Sequence, residues 1–207
     1  MKLFSPNLLL AILLSLIIFS CSSDDNGGSQ EIADFTVSNF TDDRDDTVYK
    51  TVKIGDQVWF AENLNYTLEN NQSTCYDESA SNCLLYGRLY RADDAQNVCP
   101  SGWHLPSEEE WQELFDYLGG TAIAVNLLGV GSTFQNTEIQ FNLLPAGRFW
   151  SSQVGYEFIN DTGFYWTSTA GGSQFATTRF VQFTPGVSLT INQENTGRKM
   201  SCRCVED

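Results

Sequence analysis

The sequence predicts an α+β domain with a largely antiparallel sheet. Helical patterns lie in the first half of the chain, short β runs separated by Gly, Asn and Pro fill the second, and no segment repeats. At 207 residues, the chain suits one domain of ordinary size behind a short leader. Hydrophobic residues at 42%, with 13% aromatic, supply a real core and exclude global disorder.

Residues 1–20 read as an export leader. Lys2 gives the positive start, and Leu8 to Phe19 is apolar except for Ser15. At about 1.5 Å per helical residue that run falls well short of the ~30 Å hydrocarbon core, so it is no permanent span. Ile18-Phe19-Ser20-Cys21 resembles a bacterial lipobox, which makes Cys21 the expected acylation site. Its acyl chains would tie the protein to a membrane, each buried methylene contributing about 0.8 kcal/mol. From Ser22 to Ser29 there is no apolar side chain, as in a polar tether expected over residues 21–40. The acidic residues after Cys21 also resemble surface-export signals of Bacteroidetes lipoproteins, implying an outer-membrane location facing the exterior.

The domain is expected over residues 41–207. Thr47 to Ile54 alternates β-branched and aromatic residues, Gly55-Asp56 turns, and Gln57 to Phe60 returns as the second strand of a hairpin. A short helix is expected from Leu89 to Val98. The next helix has the clearest start: Ser107 with Glu110 forms a capping box. Trp111, Leu114, Phe115 and Leu118 then share one apolar face before Gly119-Gly120 stops it. A weaker helical stretch covers Thr121 to Leu128. Strands are expected at Phe141 to Leu144, Phe164 to Ser168, Phe175 to Phe183, Val187 to Ile191 and Met200 to Val205.

With Cys21 assigned to lipid, five of the six cysteines remain. Export makes disulfides the expectation. Cys75 and Cys83 enclose a short polar loop and are natural partners, whereas Cys99 could close a long loop with either Cys202 or Cys204. No metal site and no cofactor are expected: zinc needs several closely spaced ligands, and His104 is the lone histidine. A net charge of −15 repels phosphate, so nucleic acid is not an expected partner.

An ordered series of short motifs carries a family resemblance. It runs through Val52-Lys53-Ile54-Gly55, Ala61-Glu62-Asn63-Leu64-Asn65-Tyr66, Cys75-Tyr76-Asp77 and Tyr86-Gly87-Arg88-Leu89-Tyr90. It continues with Cys99-Pro100-Ser101-Gly102-Trp103-His104-Leu105-Pro106, Leu144-Pro145-Ala146-Gly147, Tyr165-Trp166-Thr167-Ser168-Thr169 and Arg203-Cys204-Val205. The chain thereby resembles the Fibrobacter succinogenes major paralogous domain, found in surface lipoproteins and related to C-type-lectin-like domains and formylglycine-generating enzymes. The resemblance implies a lectin-like fold, with two short helices against a twisted, loop-rich, disulfide-braced sheet. It further implies Ala95 and Cys99 on the first helix and a Cys99–Cys204 bridge, with Cys202 left as a buried free thiol.

No catalytic set is found: the chain lacks a nucleophile elbow, a phosphate loop and a zincin motif. The expected function is therefore a non-enzymatic, surface-tethered binding or adhesion module for a glycan or a surface protein. Trp150, Tyr156, Tyr165 and Trp166 are the candidate ligand contacts, because aromatic faces grip the apolar faces of sugars. Asp46-Thr47-Val48 fits a short O-glycosylation pattern, with Thr47 as acceptor. Two alternatives stand beside this: a copper-dependent oxidase using Cys202 and Cys204, and a structural component of an outer-membrane assembly.

Overall fold

Strand formation begins earlier than the sequence pattern suggests. In a computed structural model describing residues 35–69, 72–131, 133–134, 137–172 and 177–207, β1 (Thr36–Asp42) starts within what reads as tether and crosses its expected end. Its side chains are almost all exposed, so no apolar alternation announces it. What holds it is an antiparallel ladder to β2 (Thr47–Ile54). That strand does alternate, burying Tyr49, Val52 and Ile54, and it turns through Gly55 into β3 (Gln57–Phe60) as expected. The leader, Cys21 and residues 175–176 of the strand expected at Phe175 to Phe183 lie outside the described residues.

After β4 (Ser73–Thr74) and α1 (Ala80–Tyr86), the helix expected over 89–98 is largely replaced. Leu89–Arg91 forms β5, and only Ala92–Ala95 is helical, as α2; Cys99 lies beyond it. Tyr90 explains the change. Its ring is fully buried, its hydroxyl donates to the Tyr66 carbonyl at 2.7 Å, and its backbone is laddered on both sides. Tertiary pairing therefore overrides the local helical pattern.

Next come β6 (Trp103–His104) and α3 (Glu108–Tyr117). The capping box is present: Glu110 N–H donates to Ser107 Oγ at 3.1 Å, and Ser107 N–H to Glu110 Oε2 at 2.7 Å. Trp111, Leu114 and Phe115 are buried on the predicted face. A second helix, α4 (Thr121–Leu127), follows closely, then the short β7 (Thr133–Phe134) and β8 (Thr137–Glu138). Residues 141–144 are not a strand. Positive φ at Gln140 and Asn142 breaks the extended run, and Arg203 takes the carbonyls of Phe141 and Asn142.

An unexpected hairpin follows, β9 (Ala146–Ser151) and β10 (Gly155–Ile159), and then three long strands, β11 (Gly163–Ala170), β12 (Thr177–Thr184) and β13 (Ser188–Asn195). Gly147 has φ +66°, and an added Cβ would stand 2.6 Å from the Tyr76 ring and 2.8 Å from the Ile159 nitrogen. Only glycine fits there. The expected final strand splits into β14 (Lys199–Met200) and β15 (Val205–Glu206). Between them the chain crosses from one sheet to the other, bonding Ser201 to Trp166 and Phe164, Cys202 to Leu64, and Cys204 to Phe60.

The two main sheets have strand orders β1-β2-β3-β15-β6 and β13-β12-β11-β9-β14-β5-β4, with β10 on β9. Apart from a parallel contact between β9 and β11, their strand pairs are antiparallel. With four short helices among the described residues, the class is α+β. The core divides in two, and β3 feeds both halves. Trp59 packs on Trp111 at 4.7 Å, while Phe60, pointing the other way, packs on Trp103 at 4.5 Å. Disulfides join Cys75 to Cys83 and Cys99 to Cys204, leaving Cys202 as a buried free thiol.

Candidate binding cleft

Strands β4, β9, β10 and β14 meet to build a cleft of about 490 Å³. Register defines it: Lys199 on β14 pairs with Arg91 on β5 and, on the other side, with Phe149 on β9. Tyr156 on β10 pairs with Phe149, their rings 5.1 Å apart. Directly paired residues share a sheet face, so Arg91, Lys199, Phe149 and Tyr156 form one row. β4 closes the far side, where the Thr74 hydroxyl lies 3.0 Å from the Tyr156 hydroxyl. Arg88 and Glu78 complete the lining. The Cys75–Cys83 bridge fastens this wall to α1, and the Tyr76 ring supports Tyr156 from behind at 5.0 Å.

The cleft carries both signs of charge, with Glu78, Arg88 and Lys199 in its lining. Partial burial, with Arg91 beside it, makes the Lys199 ammonium easier to deprotonate than usual. Its Nζ stands 5.8 Å from the Phe149 ring centroid. Arg88 Nε is buried with no hydrogen-bond partner.

The sequence-predicted aromatic residues divide three ways. Tyr156 lines the cleft. Trp150, one residue on from Phe149, belongs to the opposite sheet face, where the Arg198 and Arg148 guanidinium carbons lie 3.8 and 4.3 Å from its ring centroid. Tyr165 and Trp166 are fully buried and present nothing to a ligand. Both are tied down, Tyr165 by its hydroxyl to the Leu144 carbonyl and Trp166 by its indole N–H to the Tyr90 carbonyl at 2.8 Å. Sequence reasoning missed Arg88, Phe149 and Lys199 as lining residues. The available signal was the scarcity of basic residues, eleven in all, against their recurrence at 88, 91, 198 and 199.

A second concavity of about 530 Å³ lies between β2 and the end of α1. Four exposed apolar side chains line it: Val48 (58%), Leu84 (83%), Leu85 (65%) and Val130 (63%). Thr47, the candidate glycosylation acceptor, is half-buried at the same groove.

Elsewhere the chemistry points to structure. Cys204 is committed to Cys99, and burial pushes the Cys202 thiol well above its ordinary pKa, so the two sulfurs do not form a free pair. Among the described residues no three His, Cys, Asp or Glu side chains converge as a metal set. His104 bridges two carboxylates, with Nε2 2.8 Å from Glu110 Oε1 and Nδ1 2.8 Å from Asp207 Oδ1. Burial alone would lower its pKa, but the two carboxylates outweigh that and raise it. The folded state therefore holds this proton more tightly than the unfolded chain. The stabilisation is complete below the unfolded value of about 6.5 and is lost as pH rises through the folded one. Thermal midpoints measured from about pH 5 to about pH 9 should fall on the alkaline side, and His104→Gln should flatten that slope.

A family model described as Fibrobacter succinogenes major domain matches residues 52–206. No curated protein and no solved structure matches the chain.

Proposed function

The chain belongs to the Fibrobacter succinogenes major domain family, and from that premise we propose that it is a non-enzymatic glycan-binding module displayed at the cell surface. The observation carrying this reading is the cleft between β4, β9, β10 and β14, where Phe149 and Tyr156 rings stand beside hydroxyls and charged side chains of both signs. That is the chemistry of sugar recognition: an aromatic face against ring C–H groups, with polar side chains fixing orientation. The wall is preorganised by a disulfide, which reduces the entropy lost on binding. The proposal extends to a lectin-like ancestry for the fold and to acylation of Cys21, which would hold the domain on the outer membrane facing the medium. The segment after Cys21 has the polar composition of a spacer.

Screening the purified protein against immobilised polysaccharides tests the binding reading. Retention by at least one, lost in Tyr156→Ala, is expected; no retention across the panel sinks it. Fatty-acid labelling of cells should mark the wild-type protein and not Cys21→Ala. The apolar rim of Val48, Leu84, Leu85 and Val130 favours a second reading, in which a surface protein docks at the other groove. Cross-linking from that rim, rather than from the cleft, would distinguish it.

A further inference from the structure

We propose that two copies of this chain pair through β1, the free edge of one strand laid antiparallel on the same edge of the other, about a two-fold axis at Asn39. The ladder fixes which groups that edge offers. Ala61 N–H donates to the Lys50 carbonyl at 2.8 Å, so Lys50 faces β3, while Tyr49 and Thr51 face β1. Their partners Phe40 and Ser38 therefore turn inward, and Val37, Asn39 and Thr41 aim their N–H and C=O groups out of the sheet. Among the described residues nothing bonds those groups. Exposed edges are ordinarily guarded by shortness, charge, proline or a bulge. β4 and β6 are two residues long and β13 carries Glu194. By contrast β1 has seven residues, no basic side chain, no proline and an unbroken register.

The occupant that fits is a second copy. Pairing Asn39 with Asn39 sets Val37 opposite Thr41 on both sides of the axis, and this register satisfies every outward residue of both strands. Any other alignment leaves one or more of them bare. Each copy uses up its own free edge, so the contact closes on itself and stops at two. Charge agrees. At −15 overall, like copies repel over most of their surfaces, yet residues 36–41 are uncharged, and the buried Asp42 carboxylate is held by Arg44 at 2.7 Å. The two-fold also sets Thr36 opposite Asp42 of the second copy. Exposed Lys53, the ladder partner of Thr36, thereby comes toward that copy's acidic turn at Asp43, Asp45 and Asp46. Apolar surface is covered as well: Val37 of one copy comes beside Thr41 of the other, which pairs with the exposed Val48 at the rim of the second groove. Phe40, its ring 5.2 Å from Trp103 and 5.6 Å from Phe60, fixes the strand in advance, which reduces the ordering cost of association.

Cysteine cross-linking of the full chain in mild detergent tests the register. Residues that exchange backbone bonds across an antiparallel pair have Cα atoms about 5.5 Å apart, within the span of a disulfide. Under mild oxidation Asn39→Cys should therefore give a linked dimer. Val37→Cys or Thr41→Cys alone should not, because like positions then stand about 13 Å apart. Mixing those two variants should restore the link. Lys50→Cys, exposed on the neighbouring strand, controls for chance collisions. Sedimentation gives a second measure without added thiols. Asn39→Pro removes an outward N–H that the β1–β2 ladder does not use, and should weaken self-association at least roughly tenfold at an unchanged thermal midpoint. If that variant is destabilised, Val37→Lys with Thr41→Lys guards the same edge and should weaken association to a similar degree. Asn39→Cys linking no better than Lys50→Cys, or no link in the mixture of Val37→Cys with Thr41→Cys, would overturn the proposal. So would linkage of Asn39→Cys solely to other polypeptides, which is the signature of a captured foreign strand.

Discussion

Replacing Arg203 with leucine should lower the unfolding free energy by about 3–5 kcal/mol. Its guanidinium is fully buried and, among the described residues, has no carboxylate in ion-pair contact. Burial brings its pKa down to about 10, so it remains charged at neutral pH. Oxygens satisfy it instead: Nε donates to Asn63 Oδ1 at 2.8 Å, Nη1 to the Phe60 carbonyl at 2.9 Å, and further donors reach Phe141 and Asn142. Leucine would strand all four acceptors in the interior, and each unsatisfied buried group costs about 1–3 kcal/mol. Lysine should recover only part of the loss, since one ammonium cannot span the fan that a planar fork reaches. Guanidinium denaturation measures the effect as a shifted midpoint at unchanged slope. For contrast, Arg179→Leu breaks only a half-exposed pair with Glu108 and should cost less than about 1 kcal/mol. Equal effects at the two positions would refute this account of Arg203.

Removing the Cys99–Cys204 bridge should cost about 4–5 kcal/mol, because it closes a loop of 105 residues that the unfolded chain would otherwise leave open. A shift of that size lowers the thermal midpoint by on the order of 10 °C in a domain this large. The double variant Cys99→Ser with Cys204→Ser, followed by differential scanning calorimetry, reads it directly. Breaking Cys75–Cys83, which spans only 8 residues, should cost roughly half as much in the same entropy treatment. Its larger consequence should be local, in weaker ligand retention by the cleft whose wall it fastens. Two bridge deletions with the same thermal penalty would contradict the loop-length argument.

The sequence made some elements legible and hid others, for identifiable reasons. The hairpin over 47–60 and the capped helix at Ser107 advertise themselves because both signals are local: period-two burial in one, a side chain bonding its own backbone in the other. β1 is silent because its stability comes from a ladder, not from buried side chains. The helical pattern at 89–98 misleads because Tyr90 finds better partners far away in sequence than in its own turn. The same difficulty limits the cleft. Tyr156 could be proposed as an aromatic in a loop-rich region, but Arg91, Phe149 and Lys199 come together only through register across three strands. Sequence separation conceals a shared face, and without the ladders Trp150 and Phe149 look equivalent although they point to opposite sides.

Cys202 sits two positions from a bridged sulfur, inside the same core cluster. An unpaired thiol so placed is ordinarily a hazard, since a thiolate attacks the neighbouring bridge and scrambles it. Here the fold disarms it by withholding the ionised form, with burial holding the proton on sulfur. In the closed core, exchange of Cys204 for Cys202 as the partner of Cys99 is therefore held back by the scarcity of thiolate.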